Sequence, residues 1–146
     1  MLSTDRPAEV AVLSGRLRAA VTRLNRRLRA GALGGISPAQ ASALAMIERL
    51  GSPALSELAA AEQVRPPSMT RVVDALEGEG LVARTTDPVD RRCQRVALTS
   101  SGRRALASIR SRKSAFLEPR LARLGKSQLA TLTAAVGILE QLAEEE

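Results

Sequence analysis

The chain has no histidine, tryptophan or tyrosine, one phenylalanine (Phe116), one cysteine (Cys93) and only two lysines among 22 basic residues. Each absence narrows the chemistry. Without histidine the commonest general base and the usual nucleophilic triads are missing, and no glycine-rich phosphate loop of the G-x-x-x-x-G-K-[ST] type appears, so no enzyme is expected. A lone cysteine cannot form an intrachain disulfide. With no histidine beside it, it cannot supply the usual ligands of a zinc site either, so neither metal nor cofactor is expected. Few aromatics argue against a single-strand binder that stacks bases on aromatic platforms. No apolar run approaches the ~18 residues needed to cross a bilayer, which predicts a soluble protein with no membrane partner. The first ten residues, MLSTDRPAEV, carry acids and a proline where a secretory signal needs a basic start and an apolar stretch, which predicts a cytoplasmic location.

What is present is arginine. The net charge is +7 over 146 residues, and arginine forks match phosphate oxygens and guanine edges. Such a bias can also reflect a GC-rich genome, so position must decide. Residues 63–112 carry 10 basic and 5 acidic groups, against 8 and 5 in residues 1–62 and 4 and 5 in residues 113–146. The excess therefore concentrates in the middle of the chain.

Helical periodicity marks six helices. Leu13, Leu17, Val21, Leu24 and Leu28 form the stripe of an amphipathic helix over 8–30, with Arg16, Arg23, Arg26, Arg27 and Arg29 on its other faces. These arginines read as solvated or paired, or alternatively as groups lining a crevice that meets the carboxylate of a small aromatic acid. Gly31, Gly34 and Gly35 end this helix. Ser37, Pro38 and Gln40 open a second as cap, first-turn proline and capping box, and Gly51 stops it near Leu50. "LSELAAAEQ" gives a short third helix with Leu55, Leu58 and Ala59 inward. After a turn at Val64 and Arg65, Pro66 or Pro67 starts a fourth, with Met69, Val72, Val73 and Leu76 on its core face. Pro67, Arg71 and Asp74 lie opposite, flanked by Ser68 and Thr70. A short helix, a tight turn and a helix with a polar outer face describe a helix-turn-helix, whose second helix enters a major groove.

"LVARTT" and "CQRVALT", separated by "DPVDRR", read as a β-hairpin that carries Arg91 and Arg92 at its tip, where a narrow minor groove attracts arginine. Thr99 caps a long fifth helix with Leu106, Ile109, Phe116, Leu117, Leu121 and Leu124 as apolar positions, which Pro119 should bend or interrupt. From about Lys126 a sixth helix repeats Leu129, Leu132, Val136, Leu139 and Ala143 as a heptad-like seam. Cys93, beside the hairpin tip, reads as an inert strand residue, since the chain offers no resolving thiol.

The stretch "DPVDRRCQRVALT" is similar to the wing signature of MarR-type (multiple antibiotic resistance) transcriptional regulators, matching at Asp90, Arg92, Leu98, Thr99 and Gly102. "LSELAAAEQVRPPSMTRVVDALEGEGLVAR" resembles the helix-turn-helix of the same family. The resemblance implies a mainly α fold: a winged helix-turn-helix core with a two-stranded wing, flanked by N- and C-terminal dimerisation helices. It divides the chain into residues 1–35 (N-terminal dimerisation helix), 36–99 (DNA-binding lobe) and 100–146 (C-terminal dimerisation helices). It further implies an obligate homodimer on a pseudo-palindromic double-stranded operator, usually a repressor, released by a small aromatic or anionic ligand or by an oxidant. Arg92 takes the role of minor-groove arginine and Asp90 that of the acid orienting the wing arginines. The candidate DNA contacts are Arg65, Pro67, Ser68, Thr70, Arg71, Asp90, Arg91, Arg92 and Arg95. The candidate dimer seam is Leu13, Leu17, Leu129, Leu132, Val136 and Leu139. The alternative is a winged-helix module that docks on protein and has only non-specific affinity for DNA.

Overall fold

The computed structural model describes residues 5–145; the first four residues of the expected N-terminal segment and the last residue of the C-terminal one lie outside them. Six helices and one hairpin follow in order: α1 (Arg6–Arg29), α2 (Pro38–Leu50), α3 (Leu55–Ala61), α4 (Pro66–Gly78), β1 (Val82–Thr86), β2 (Gln94–Leu98), α5 (Ser100–Leu121) and α6 (Lys126–Glu144). The strands pair antiparallel, with Val82 opposite Leu98, Arg84 opposite Val96 and Thr86 opposite Gln94.

Local signals set most boundaries. Ser37 and Gln40 form the expected capping box at the start of α2: Ser37 Oγ accepts from Gln40 N at 3.1 Å, and Gln40 Oε1 accepts from Ser37 N at 2.8 Å. Gly51 ends the helix with φ at 67°, a conformation that costs glycine nothing. The third helix is two residues shorter than its apolar pattern suggests. Gln63 adopts φ 54°, and the N–H groups of Gln63 and Val64 turn back to the carbonyls of Ala60 and Ala59 at 3.1 and 3.0 Å. These bonds satisfy the helix end and redirect the chain into α4. Pro119 does not interrupt α5, which continues through it to Leu121. It falls in the last turn, so the one ladder bond it removes lies near the end of the helix.

One core gathers Ala43, Leu44 and Ile47 of α2, Leu58 and Ala59 of α3, Met69, Val73 and Leu76 of α4, Val82 and Val96 of the hairpin, and Leu106 of α5. Val72, expected in the core stripe of α4, is half-buried at its edge. The hairpin is anchored to this body rather than projecting freely. Val96 N donates to Pro53 O at 2.9 Å, and Ala54 bridges to Arg95.

Where β2 meets α5, Thr99 joins three segments. Its side chain accepts from Gly102 N at 3.0 Å and donates to Gly80 O at 2.6 Å, while its N–H donates to Leu81 O at 3.1 Å. Gly102 is packed so closely against this turn that a Cβ there would collide with the Leu81 carbonyl. Backbone cannot swing aside as a flexible side chain can. Gly102→Ala is therefore expected to destabilise the fold by about 1–3 kcal/mol, read as a lowered midpoint in thermal unfolding; an unchanged midpoint would mean that this junction is looser than the packing indicates.

By contrast, α1 and α6 contain no buried residue. Leu13 is 62% exposed, and Val21, Leu24, Leu129, Leu132 and Val136 are also exposed, while Leu17 and Leu139 are half-buried. The apolar stripes of both terminal helices are thus left largely uncovered by their own chain.

Candidate nucleic-acid interface

The start of α4 presents Arg65, Pro67, Ser68 and Arg71 to solvent, with Thr70 half-buried between them. Pro66 opens the helix, and Arg65 holds the extended cap position at φ −70° and ψ 144°. Pro66 and Pro67 carry no N–H, and Ser68 N and Met69 N donate to Arg65 O at 3.0 and 3.1 Å, so what this end of the helix offers an anion is its positive dipole end and the exposed arginines beside it. The Thr70 hydroxyl donates to Pro66 O at 3.0 Å, which leaves its oxygen available as an acceptor only. Burial of Met69, Val73 and Leu76 fixes the rotation of α4, so Arg71 points away from the core.

The hairpin tip adds Arg91 and Arg92, both exposed. Arg92 shares a shallow cleft of about 440 Å³ with Leu55, Ser56, Asp90, Cys93 and Gln94, between α3 and the wing. The arginines of the lobe and of the adjoining α5 differ in their pairing. Arg84, Arg95 and Arg110 are paired: Arg84 with Asp74 at 2.6 Å and Glu77 at 2.9 Å, Arg95 with Asp87 at 2.8 Å, and Arg110 with Glu48 at 2.7 Å. Arg65, Arg71, Arg91 and Arg92 have no ion-pair partner among the described residues, and neither has Arg49 near the end of α2.

At two wing positions the pairing within the chain differs from the simplest expectation. Asp90 does not hold an arginine side chain among the described residues; its Oδ1 accepts from the backbone N–H of Arg92 at 3.0 Å, a local turn contact. The acid that grips a wing arginine is Asp87, which is only 8% exposed. Its Oδ1 accepts from Val89 N at 2.8 Å and Asp90 N at 3.3 Å, and its Oδ2 accepts from Arg95 Nε at 2.8 Å. Arg95, expected among the DNA contacts, is held by Asp87 with its side chain still 38% exposed, and its Nη1 also donates to Ser52 O at 3.2 Å. The alternation of β2 places Arg95 beside the α2–α3 loop, and Asp87 captures it there. Arg84 was not anticipated either. It ties β1 to α4 by pairing with Glu77 and Asp74 of that helix.

Hydrogen bonds from Val89 N–H, the Arg95 guanidinium and Asp90 N–H hold the Asp87 carboxyl below the usual carboxylate range. A depressed folded value means that its contribution to the wing is fully present above the ordinary range and is lost as pH falls through the depressed one. Carboxyl-carbon NMR titration is therefore expected to give Asp87 a midpoint below that range; a midpoint at or above it would contradict the paired geometry.

A short helix, a left-handed turn, a helix with an exposed basic N-terminal edge and a hairpin carrying unpaired arginines define a winged helix-turn-helix protein. Residues 36–94 match the model of the MarR family. Over 99% of both chains, the protein is 36% identical to an uncharacterised HTH-type transcriptional regulator of Mycobacterium bovis. It is 31% identical to the HTH-type transcriptional repressor MdtR of Bacillus subtilis, over 75% of this chain and 71% of that one. A solved structure of a protein from Pseudomonas aeruginosa superposes with a TM-score of 0.83 at 38% identity, covering 94% of this chain and 98% of that one. The chain belongs to the MarR family of transcriptional regulators. No helix among the described residues is long and apolar enough to cross a membrane.

Proposed function

We propose that the protein is a homodimeric, sequence-specific repressor that binds a pseudo-palindromic operator and is released by a small anionic ligand. The observation that carries this reading is the division of the arginines. Those at the start of α4 and the wing tip are exposed and lack acidic partners among the described residues, as does Arg49 near the end of α2, while Arg84 and Arg95 of the lobe are paired. Arg71 and its neighbours Arg65, Pro67, Ser68 and Thr70 address the major groove, and Arg91 and Arg92 the flanking minor groove. The exposed stripes of α1 and α6 support dimerisation through Leu13, Leu17, Leu129, Leu132, Val136 and Leu139. Similarity to a protein named as a repressor supports the sign of regulation.

Selection of duplexes from a random pool tests the reading. Two recognition helices on a two-fold axis sit about one helical turn apart, roughly 34–36 Å, so the selected sequence is expected to be an inverted repeat with half-sites at that spacing. Recovery of no consensus, or of a lone half-site, would refute it.

A cleft of about 630 Å³ between α1 and α2 supports the ligand. It is lined by Val21, Asn25, Arg26, Arg29, Leu33 and Pro38, an apolar wall with two guanidinium groups, which suits an aromatic carboxylate. With benzoate as probe, Arg26→Ala and Arg29→Ala are expected to retain operator binding but resist release; release at wild-type concentration would place the ligand elsewhere.

A further inference from the structure

The wing tip is an exposed loop wound around a single buried carboxylate. Residues 88–92 are all exposed, and Val89 is 95% exposed. Loops of this kind, with so little apolar contact, are ordinarily mobile. Here Asp87 supplies what packing does not. One oxygen gathers the N–H groups of Val89 and Asp90, and the other holds Arg95 Nε. The Asp87 N–H donates to Cys93 O at 2.9 Å across the mouth of the loop, and Cys93 N donates to Asp90 O at 3.0 Å. Through Arg95 the chain of contacts continues to Ser52 O, a carbonyl in the α2–α3 loop whose residue holds φ 59°. The tip is therefore connected to the body that carries α4 by a route independent of the strand ladder.

We propose that Asp87 is a positioning residue for DNA recognition: it presets the wing tip so that Arg91 and Arg92 meet the groove without first ordering the loop. Fixing backbone conformations is the main entropic cost of ordering a segment, so a loop already fixed in the free protein spends less of its contact energy on binding. Asp87 itself faces inward and touches no DNA. Its loss lowers affinity by letting the tip sample conformations in which the arginines are misplaced, while the number of phosphates neutralised in the bound state stays the same.

The inference rests on the wing being a DNA contact, and the test separates the two. Operator affinity and its salt dependence are measured by fluorescence anisotropy for wild type, Asp87→Asn, Asp87→Ala, Arg92→Ala and the Asp87→Asn/Arg92→Ala double variant, each with a thermal midpoint, on the duplex selected by the wild-type protein. Asparagine preserves shape and one acceptor oxygen but places an amide N–H among groups that donate; alanine removes every side-chain contact and keeps only the backbone bond to Cys93 O. The expected result is a loss of roughly tenfold or more for both Asp87 variants, with an unchanged salt slope and a thermal midpoint close to wild type. Arg92→Ala, by contrast, also flattens the slope. The double variant is expected to lose less than the product of the single losses, because both act through the same contact. Wild-type affinity in Asp87→Ala overturns the proposal. So does full multiplicativity with Arg92→Ala, or a loss matched by collapse of the thermal midpoint, which marks a folding role only. If Arg92→Ala itself binds as wild type, the wing assignment fails and the proposal with it.

Discussion

A Leu132→Glu/Leu139→Glu double variant is expected to run as monomer or aggregate in light scattering, and to lose operator affinity on the order of 10³-fold, the lower end of the gap between specific and non-specific binding. Both leucines lie on the seam of α6, where Leu132 is 39% exposed and Leu139 half-buried in the single chain. In a dimer the two substitutions place four carboxylates in an apolar contact with nothing to pair them, and each desolvated charge costs several kcal/mol. The effect on DNA follows from geometry. A monomer offers one recognition helix and one wing, so it can hold only a half-site, and the linkage of two half-sites that multiplies affinity is lost. Since α6 buries none of its residues within its own chain, the DNA-binding lobe is expected to keep its fold, which circular dichroism can verify. A variant that remains dimeric would move the interface away from this seam.

Arg92→Ala is expected to reduce operator affinity at least about 30-fold, taking each of the two wing contacts in a dimer at ~1 kcal/mol or more, with the thermal midpoint unchanged. Arg92 is exposed and has no acidic partner among the described residues, so its removal leaves no buried group unsatisfied. If each guanidinium also displaces one counterion, the slope of log affinity against log salt becomes shallower by about 2. Anisotropy titrations at several salt concentrations give both quantities. Wild-type affinity would show that the wing tip does not touch DNA.

The elements were legible in the sequence because their signals are local. Ser37 with Gln40, Gly51, Pro66 and Thr99 each mark a boundary by satisfying or refusing a backbone hydrogen bond, and the structure places each where that chemistry requires. The orientation of Arg71 was equally accessible, because the stripe of Met69, Val73 and Leu76 fixes the opposite face of α4. The pairing of the remaining arginines was less so. Asp87 and Asp90 are both acids in one turn, and only the tertiary position of Arg95 beside the Ser52 carbonyl decides which of them binds an arginine. Two signals were nonetheless present. Asp87 precedes Pro88, the arrangement in which an aspartate caps a turn with its own side chain. Arg84 stands two residues after the buried Val82 and so faces the body of the fold, where an arginine needs acids; Asp74 and Glu77, three apart on the preceding helix, supply them.

The central claim, sequence-specific DNA binding by the unpaired arginines, is tested most directly by fluorescence anisotropy of the purified protein on labelled duplex from upstream of its own gene, titrated across salt with scrambled duplex as competitor. The expected result is binding that weakens steeply with salt yet survives excess scrambled DNA, since phosphate contacts set the salt dependence and base contacts set the preference. Binding abolished by the scrambled competitor, or insensitive to salt, would contradict it and point instead to a winged-helix surface that docks on protein.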